Sequence, residues 1–227
     1  MRGADDEAAL RERVVPVRPR HAASLILLRP GAAGLEVLMG RRGGGARFMP
    51  NRHVFPGGGV APEDRRPWRG ETGIPRRLGH DRTVLRLART ALRETFEETG
   101  LVLGRPDIAG KAPLAALSPI ERAYAANNLR PDFGLLTYIG RAITPTMSPL
   151  RFHARFFLGD GREAAGALAA NGELENLRWR PIAPVAGEWV SDVTLIMLDH
   201  AVAVWNGAAH SVLFYRYVGG KPRVTLR

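Results

Sequence analysis

The chain has 227 residues, 45% hydrophobic and 24% charged, which suits a globular protein with a sizeable core and excludes a disordered chain. The absence of cysteine excludes disulfides and thiolate metal sites. The net charge of +11 points to anionic ligands, but among 33 basic residues only Lys111 and Lys221 are lysines, and the arginines form no basic block or aromatic-interleaved stripe. An acidic small molecule such as a nucleotide therefore suits the charge better than nucleic acid. No apolar run approaches the roughly 20 residues that span a bilayer, and residues 1–20 lack a secretory apolar region. A cytoplasmic protein without membrane partners is the expectation.

Residues 1–20, rich in Arg and Pro, read as a polar arm ahead of a single domain over 21–227. "HAASLILLRP" (21–30) and "LEVLMGRR" (35–42) read as two strands joined by a small-residue turn. "GGGARFMPNR" leads to "HVFPGGGV", a short strand broken by Pro56 and its glycines. Residues 61–80 carry no periodicity and read as a long surface insertion, centred on about 65–80.

From Asp81, a candidate N-cap, to Thr99 the pattern is helical, with Gly100 as the left-handed residue that ends it. At 100° per residue, Val84, Leu85, Ala88, Leu92, Thr95 and Phe96 share an arc of about 120° suited to packing on a sheet. Glu94, Glu97 and Glu98 occupy a separate arc, with Arg86, Arg89 and Arg93 beyond it. Downstream come a short helix in "SPIERAYAANN" and strands in "FGLLTYIGRAIT", "RFHARFFLGD" and "ENLRWRPI". An apolar helix in "TLIMLDHAVAVWNG" and a terminal hairpin follow. This order predicts an α/β (α+β) fold, a central mixed sheet between helices.

The stretch "RETFEETG" (93–100) breaks local rules. Glu94 and Glu98 are a like-charge pair four apart, and the acids crowd the helix end where the dipole disfavours them. Only Arg93 to Glu97 compensates. Carboxylates at i, i+3 and i+4 can instead converge on a divalent cation, and all-oxygen ligands favour Mg²⁺ or Mn²⁺. Such ions neutralise charge in displacements at phosphorus and acidify bound water. The histidines have no ligand-like spacing, so no zinc site is expected.

Together, "FPGG" (55–58) and "RETFEETGL" (93–101) resemble the Nudix hydrolase superfamily, whose box reads G-x5-E-x7-R-E-U-x-E-E-x-G-U with U apolar. Thr95 stands at the apolar position. Counting back from Arg93 puts Gly79 at the box glycine and Leu85 at its glutamate. Counting forward from Gly58 puts Asp64 there, with 28 residues rather than seven before Arg93, and this second alignment is preferred. The resemblance implies an α/β/α sandwich and Mg²⁺- or Mn²⁺-dependent hydrolysis of a diphosphate joined to a nucleoside. It further implies a metal set of Gly57 (by its carbonyl), Glu94, Glu97 and Glu98, with Arg93 orienting them. Either Glu94 or a later loop glutamate would be the base, Glu173 first and Glu175 as the alternate.

"VLMGRRGGGARFMPNRHVFPGG" partly follows the coenzyme A signature of one branch, which makes Arg41, Arg47, Arg52 and Arg155 candidate diphosphate contacts and coenzyme A or an acyl-coenzyme A a candidate substrate. A catalytically weak nucleotide- or partner-binding module is the alternative, as is an RNA-cap or NADH-type diphosphatase. A homodimer is compatible with either.

Overall fold

The computed structural model describes residues 17–77, 82–108, 114–182, 190–209 and 211–227. The expected N-cap Asp81, the box glycine candidate Gly79 and most of the N-terminal arm lie outside the described residues. Among the described residues, twelve strands form two sheets. β1 (Arg20–Gly31) and β2 (Gly34–Arg42) make the predicted hairpin, followed by the short β3 (His53–Val54) and β4 (Gly57–Gly59). After the helix α1 (Arg82–Thr99) come β5 (Val102–Pro106), the helix α2 (Pro119–Ala126) and β6 (Leu129–Pro131). β7 (Thr137–Ile143), β8 (Phe152–Asp160), β9 (Ala164–Ala165) and β10 (Leu174–Pro181) lead to α3 (Asp192–Trp205). β11 (Leu213–Val218) and β12 (Lys221–Leu226) form the expected terminal hairpin.

The large sheet runs β10-β2-β1-β8-β7-β11-β12, with β3 on β2 and β4 on β1. It is mixed: β1 and β8 are parallel, as are β7 and β11, and the other pairs are antiparallel. On the edge away from β8, β1 serves two partners, because its first half pairs with β4 at Ala22–Ser24 and its second with β2 at Leu28–Gly31. Alternation along β1 then divides the core. Ala23, Leu25 and Leu27 pack with Leu87, Ala88, Ala91 and Leu92 of α1, while Ile26 and Leu28 pack with Met197, Leu198 and Ala201 of α3. Helices thus cover both faces, as the element order predicts. The small antiparallel sheet β6-β5-β9 was not legible in the sequence, since its strands have two to five residues. Among the described residues no helix is long and apolar enough to cross a membrane.

α1 buries the predicted face and more. Val84, Ala88, Leu92 and Thr95 are buried, but so are Arg89 and Arg93 on the far side. The buried Thr95 tolerates an apolar setting because its Oγ1 donates to the Ala91 carbonyl four residues back (2.7 Å). Gly100 ends the helix at φ 75°, with its N–H bonded to Phe96 O at 2.7 Å.

The segment 61–77 is largely exposed, yet single residues of it anchor in the core. Its Trp68 is 6% exposed and packs with Tyr124 and Phe133 in the core. Glu71 holds Arg89 through Nε (2.8 Å) and Nη2 (2.5 Å). The backbone of Thr72 and Arg76 exchanges hydrogen bonds with residues 131–138. The sequence hid this because single anchoring residues, rather than a repeating pattern, attach the segment. Trp68→Ala is therefore expected to cost about 3–5 kcal/mol in urea unfolding; a loss near zero would mean the segment is not part of the core.

Candidate active site

The FPGG strand and the end of α1 meet at atomic contact. β4 lies beside α1 because Gly58 has no side chain: a Cβ there would sit 2.5 Å from the Glu94 carboxylate. The N–H of Gly57 donates to Glu98 Oε2 at 2.8 Å, while its carbonyl lies 3.3 Å from Arg42 Nη2. Glu98 is almost fully buried, Glu94 largely so, and Glu97 is about half exposed.

Arg93 joins these groups. Its Nε donates to Asp64 Oδ1 (2.9 Å), and Nη2 reaches Asp64 Oδ2 and the Gly59 carbonyl, both at 3.0 Å. Nη2 also lies 3.0 Å from Glu94 Oε1, and Nη1 donates to Glu97 Oε2 at 2.8 Å. Asp64 is fully buried and accepts further bonds from Thr90 Oγ1 and from the Ala61 N–H, each at 2.8 Å. Burial opposes the Arg93 charge, but the bond to Asp64 and the charges of Glu94, Asp64 and Glu97 outweigh it and raise its pKa. Arg93 is thus a permanent cation.

One guanidinium does not neutralise the cluster. Burial is the main cause that pushes Glu94 up to about 7; Arg93 opposes it, and Glu97 and Glu173 add to it. Burial likewise pushes Glu98 up to about 8, against the Gly57 N–H and Arg42, and with Glu94 and Glu173 reinforcing the shift. A nearby cation would favour the charged forms against both burial and the neighbouring carboxylates.

Glu94, Glu97, Glu98 and Glu173 all line one cavity of about 1010 Å³. Among the described residues no three acidic or histidine side chains close on one point, so the carboxylates form a wall and not a finished cage. The donor set nonetheless fits a hard divalent cation: oxygen ligands, and carboxylates whose charged forms are disfavoured by burial first and by their acidic neighbours second.

The substrate arginines divide. Arg52 lines the cavity, but Arg41, Arg47 and Arg155 do not. Strand alternation explains Arg41: Arg42, on the same face as Leu38, turns to Gly57 and the cavity, while Arg41 forms an ion pair with Glu175 across β10. That pair also separates the alternate base Glu175 from the cavity that Glu173 lines. Arg47 is exposed on the loop after β2. Arg155 shares the α1 side of β8 with Phe157, and its Nη1 contacts His21 Nδ1 and the His153 carbonyl, both at 3.0 Å. Phe152, Ala154 and Phe156, on the opposite face, line the cavity instead. Arg42 was missed, although period-2 counting from Leu38 would have found it. Segment 61–77 contributes no residue to the cavity lining.

The Glu98 shift has a stability consequence. With its folded pKa raised above the ordinary 4.5 to about 8, the stability it contributes is full below about pH 4.5 and is lost as pH rises through about 8. In chelator, the melting temperature should fall between pH 5 and 9, and Glu98→Gln, which keeps an acceptor for the Gly57 N–H, should flatten that fall. An unchanged slope would show that Glu98 titrates normally.

No protein-family model matches the chain. Among solved structures it is similar to a Nudix hydrolase from Alicyclobacillus acidocaldarius, with 33% identity, 82% of this chain and 92% of that chain covered, and a TM-score of 0.64. It also matches a MutT protein from Bacillus halodurans at 13% identity, with 90% and 97% covered and a TM-score of 0.49. The first likeness joins the FPGG strand, the acidic helix end and the mixed sheet to a known family: the chain belongs to the Nudix hydrolases, enzymes that act on phosphoric anhydrides.

Proposed function

We propose that the protein hydrolyses the diphosphate linkage of a nucleoside-diphosphate derivative with Mg²⁺ or Mn²⁺ held by Glu94, Glu97 and Glu98. The observation that carries this reading is the wall of four glutamates, three from α1 and Glu173 from the loop before β10, around one cavity with Arg93 binding two of them. When bound, the ion supplies charge neutralisation at the phosphate oxygens and an acidified water. The chain's own residues do the rest. Glu94 or Glu173 accepts the proton of the attacking water as its oxygen bonds to phosphorus and the anhydride P–O bond breaks. Arg93, through Asp64 and Gly59, holds the helix carboxylates in place. The Gly57 carbonyl, beside Arg42, is a further candidate donor to the ion.

The Asp64–Arg93 contact favours a Nudix box split by an insertion, with Asp64 in the supporting role of the box's first glutamate. Leu85, which the Gly79 alignment would place there, packs against the core. A single domain over 21–227 is part of the same proposal. Coenzyme A and acyl-coenzyme A, suggested by the partial pattern before FPGG, stay in the substrate panel. Of the four arginines read from that resemblance, Arg52 alone lines the cavity.

The test is turnover of coenzyme A, acetyl-coenzyme A, NADH, ADP-ribose, deoxynucleoside triphosphates and capped RNA with each ion, beside Glu97→Gln. Loss of a ligand should lower turnover by about 100-fold or more. The fold should survive, because the Glu97 side chain is 44% exposed and an exposed ion pair is worth only about 0–1 kcal/mol. Unchanged activity in Glu97→Gln would remove it from the metal set. No product from any substrate would leave a nucleotide-binding module.

A further inference from the structure

Arg155, which the register of β8 turns away from the cavity, belongs to a second group of basic side chains. His21 of β1 stands opposite His153 of β8, and Arg155 of β8 stands opposite Arg141 of β7. Residues directly opposite or two apart share a face, so two imidazoles and two guanidinium groups lie side by side. They share the α1 side of the sheet with Ala23 and Phe157. Arg86 of α1 adds a third guanidinium, and its charge acts on His21. All five side chains are partly buried, and none lines the cavity.

The group is not balanced as the other buried arginines are. Arg89 is met by Glu71 and Arg93 by Asp64. Among the described residues no ion pair ties Arg86 or Arg141 to a carboxylate. Arg141 instead lies over the Phe214 ring, 4.0 Å from its centroid. Like charges directly opposite one another on a sheet are destabilising. Two polar atoms, Arg86 Nε and His153 Nε2, are buried and have no hydrogen-bond partner. Such orphans point to a missing ion or water.

The imidazoles have responded to these charges. Their rings lie 5.9 Å apart at 30°. Arg155 Nη1 is 3.0 Å from His21 Nδ1 and 3.0 Å from the His153 carbonyl. A guanidinium can only donate, so His21 Nδ1 accepts and the ring is neutral. Burial first, then Arg155, Arg86 and Arg18, lowers the His21 pKa. Burial first, then Arg155, Arg141 and His21, pushes His153 down to about 3. A bound anion would favour the protonated rings instead.

Phosphate suits this geometry better than a carboxylate. Donors reach the place from three strands and a helix, which matches a tetrahedral group with several acceptor oxygens and up to two charges. A carboxylate offers two oxygens in one plane and a single charge.

We propose that His21, Arg86, Arg141, His153 and Arg155 form a second anion site, for a phosphate group, on the sheet face opposite the cavity. Inorganic phosphate and the phosphate of a monoester share this chemistry. The site stands independently of the hydrolase reading, because it uses none of the glutamates or cavity residues.

The experiment titrates inorganic phosphate, ribose 5-phosphate and acetate into the full chain in chelator, which prevents metal-bridged binding at the glutamates. Calorimetry should show one phosphate group per chain, bound more tightly than acetate. Arg86→Gln and Arg141→Gln should each weaken it by about tenfold or more, the effect of losing a charge-assisted partner. Arg52→Gln, in the cavity, should leave it unchanged. The imidazole signal of His153, identified by its loss in His153→Gln, should titrate at higher pH when phosphate is bound. The tighter of inorganic phosphate and ribose 5-phosphate identifies the source, and either order supports the site. Binding of neither, acetate binding as tightly as phosphate, or an unmoved His153 titration would each overturn the proposal. So would full affinity in both Arg86→Gln and Arg141→Gln, or loss of binding in Arg52→Gln.

Discussion

The site depends on the buried guanidinium of Arg93. It bonds Asp64 through Nε and Nη2, the Gly59 carbonyl through Nη2 as well and Glu97 through Nη1, and stands 3.0 Å from Glu94. A buried arginine is tolerated only when its donors are satisfied, and removal of its buried partner Asp64 would leave a charge that costs several kcal/mol. The network therefore ties three pieces of chain together: the end of α1, the glycine strand β4 and the turn that carries Asp64. Arginine suits this role because its planar fork serves several carboxylates and never loses its proton.

The segment 61–77 gains its meaning from this network. Asp64 reaches Arg93, Glu71 reaches Arg89, and the Arg89 Nη1 returns to the Asp64 carbonyl at 3.2 Å. Two buried arginines on the outer face of α1 are thereby satisfied by a segment that has no hydrophobic periodicity. Trp68 provides the apolar anchor between Tyr124 and Phe133. The segment braces the acidic helix from behind and leaves the cavity open on the other side.

Within the cavity wall, burial first and the neighbouring acids second push Glu94 up to about 7 and Glu98 up to about 8. The arginine excess of the chain contributes little to this cavity. Arg29, Arg141 and Arg216, for example, lie over aromatic rings elsewhere on the sheet. Net charge was thus a poor guide to the site, because it sums over surfaces that never meet the ligand.

The sequence by itself determined the elements and the chemistry of one helix end. Local periodicity marked β1, β2, α1, α3 and the terminal hairpin, Gly100 marked where α1 stops, and the like-charged "FEE" run marked an acidic cluster at the helix end. These signals are local, so they survive without a fold. Tertiary structure alone decided which strand faces the cavity, and hence that Arg42 rather than Arg41 approaches it and that Arg155 sits across the sheet. It alone brought Phe48 to Phe152 and Asp64 to Arg93, pairs separated by 104 and 29 positions. Contacts of that range depend on sheet register and on how segments fold back, and neither leaves a periodic mark on the residues that make them.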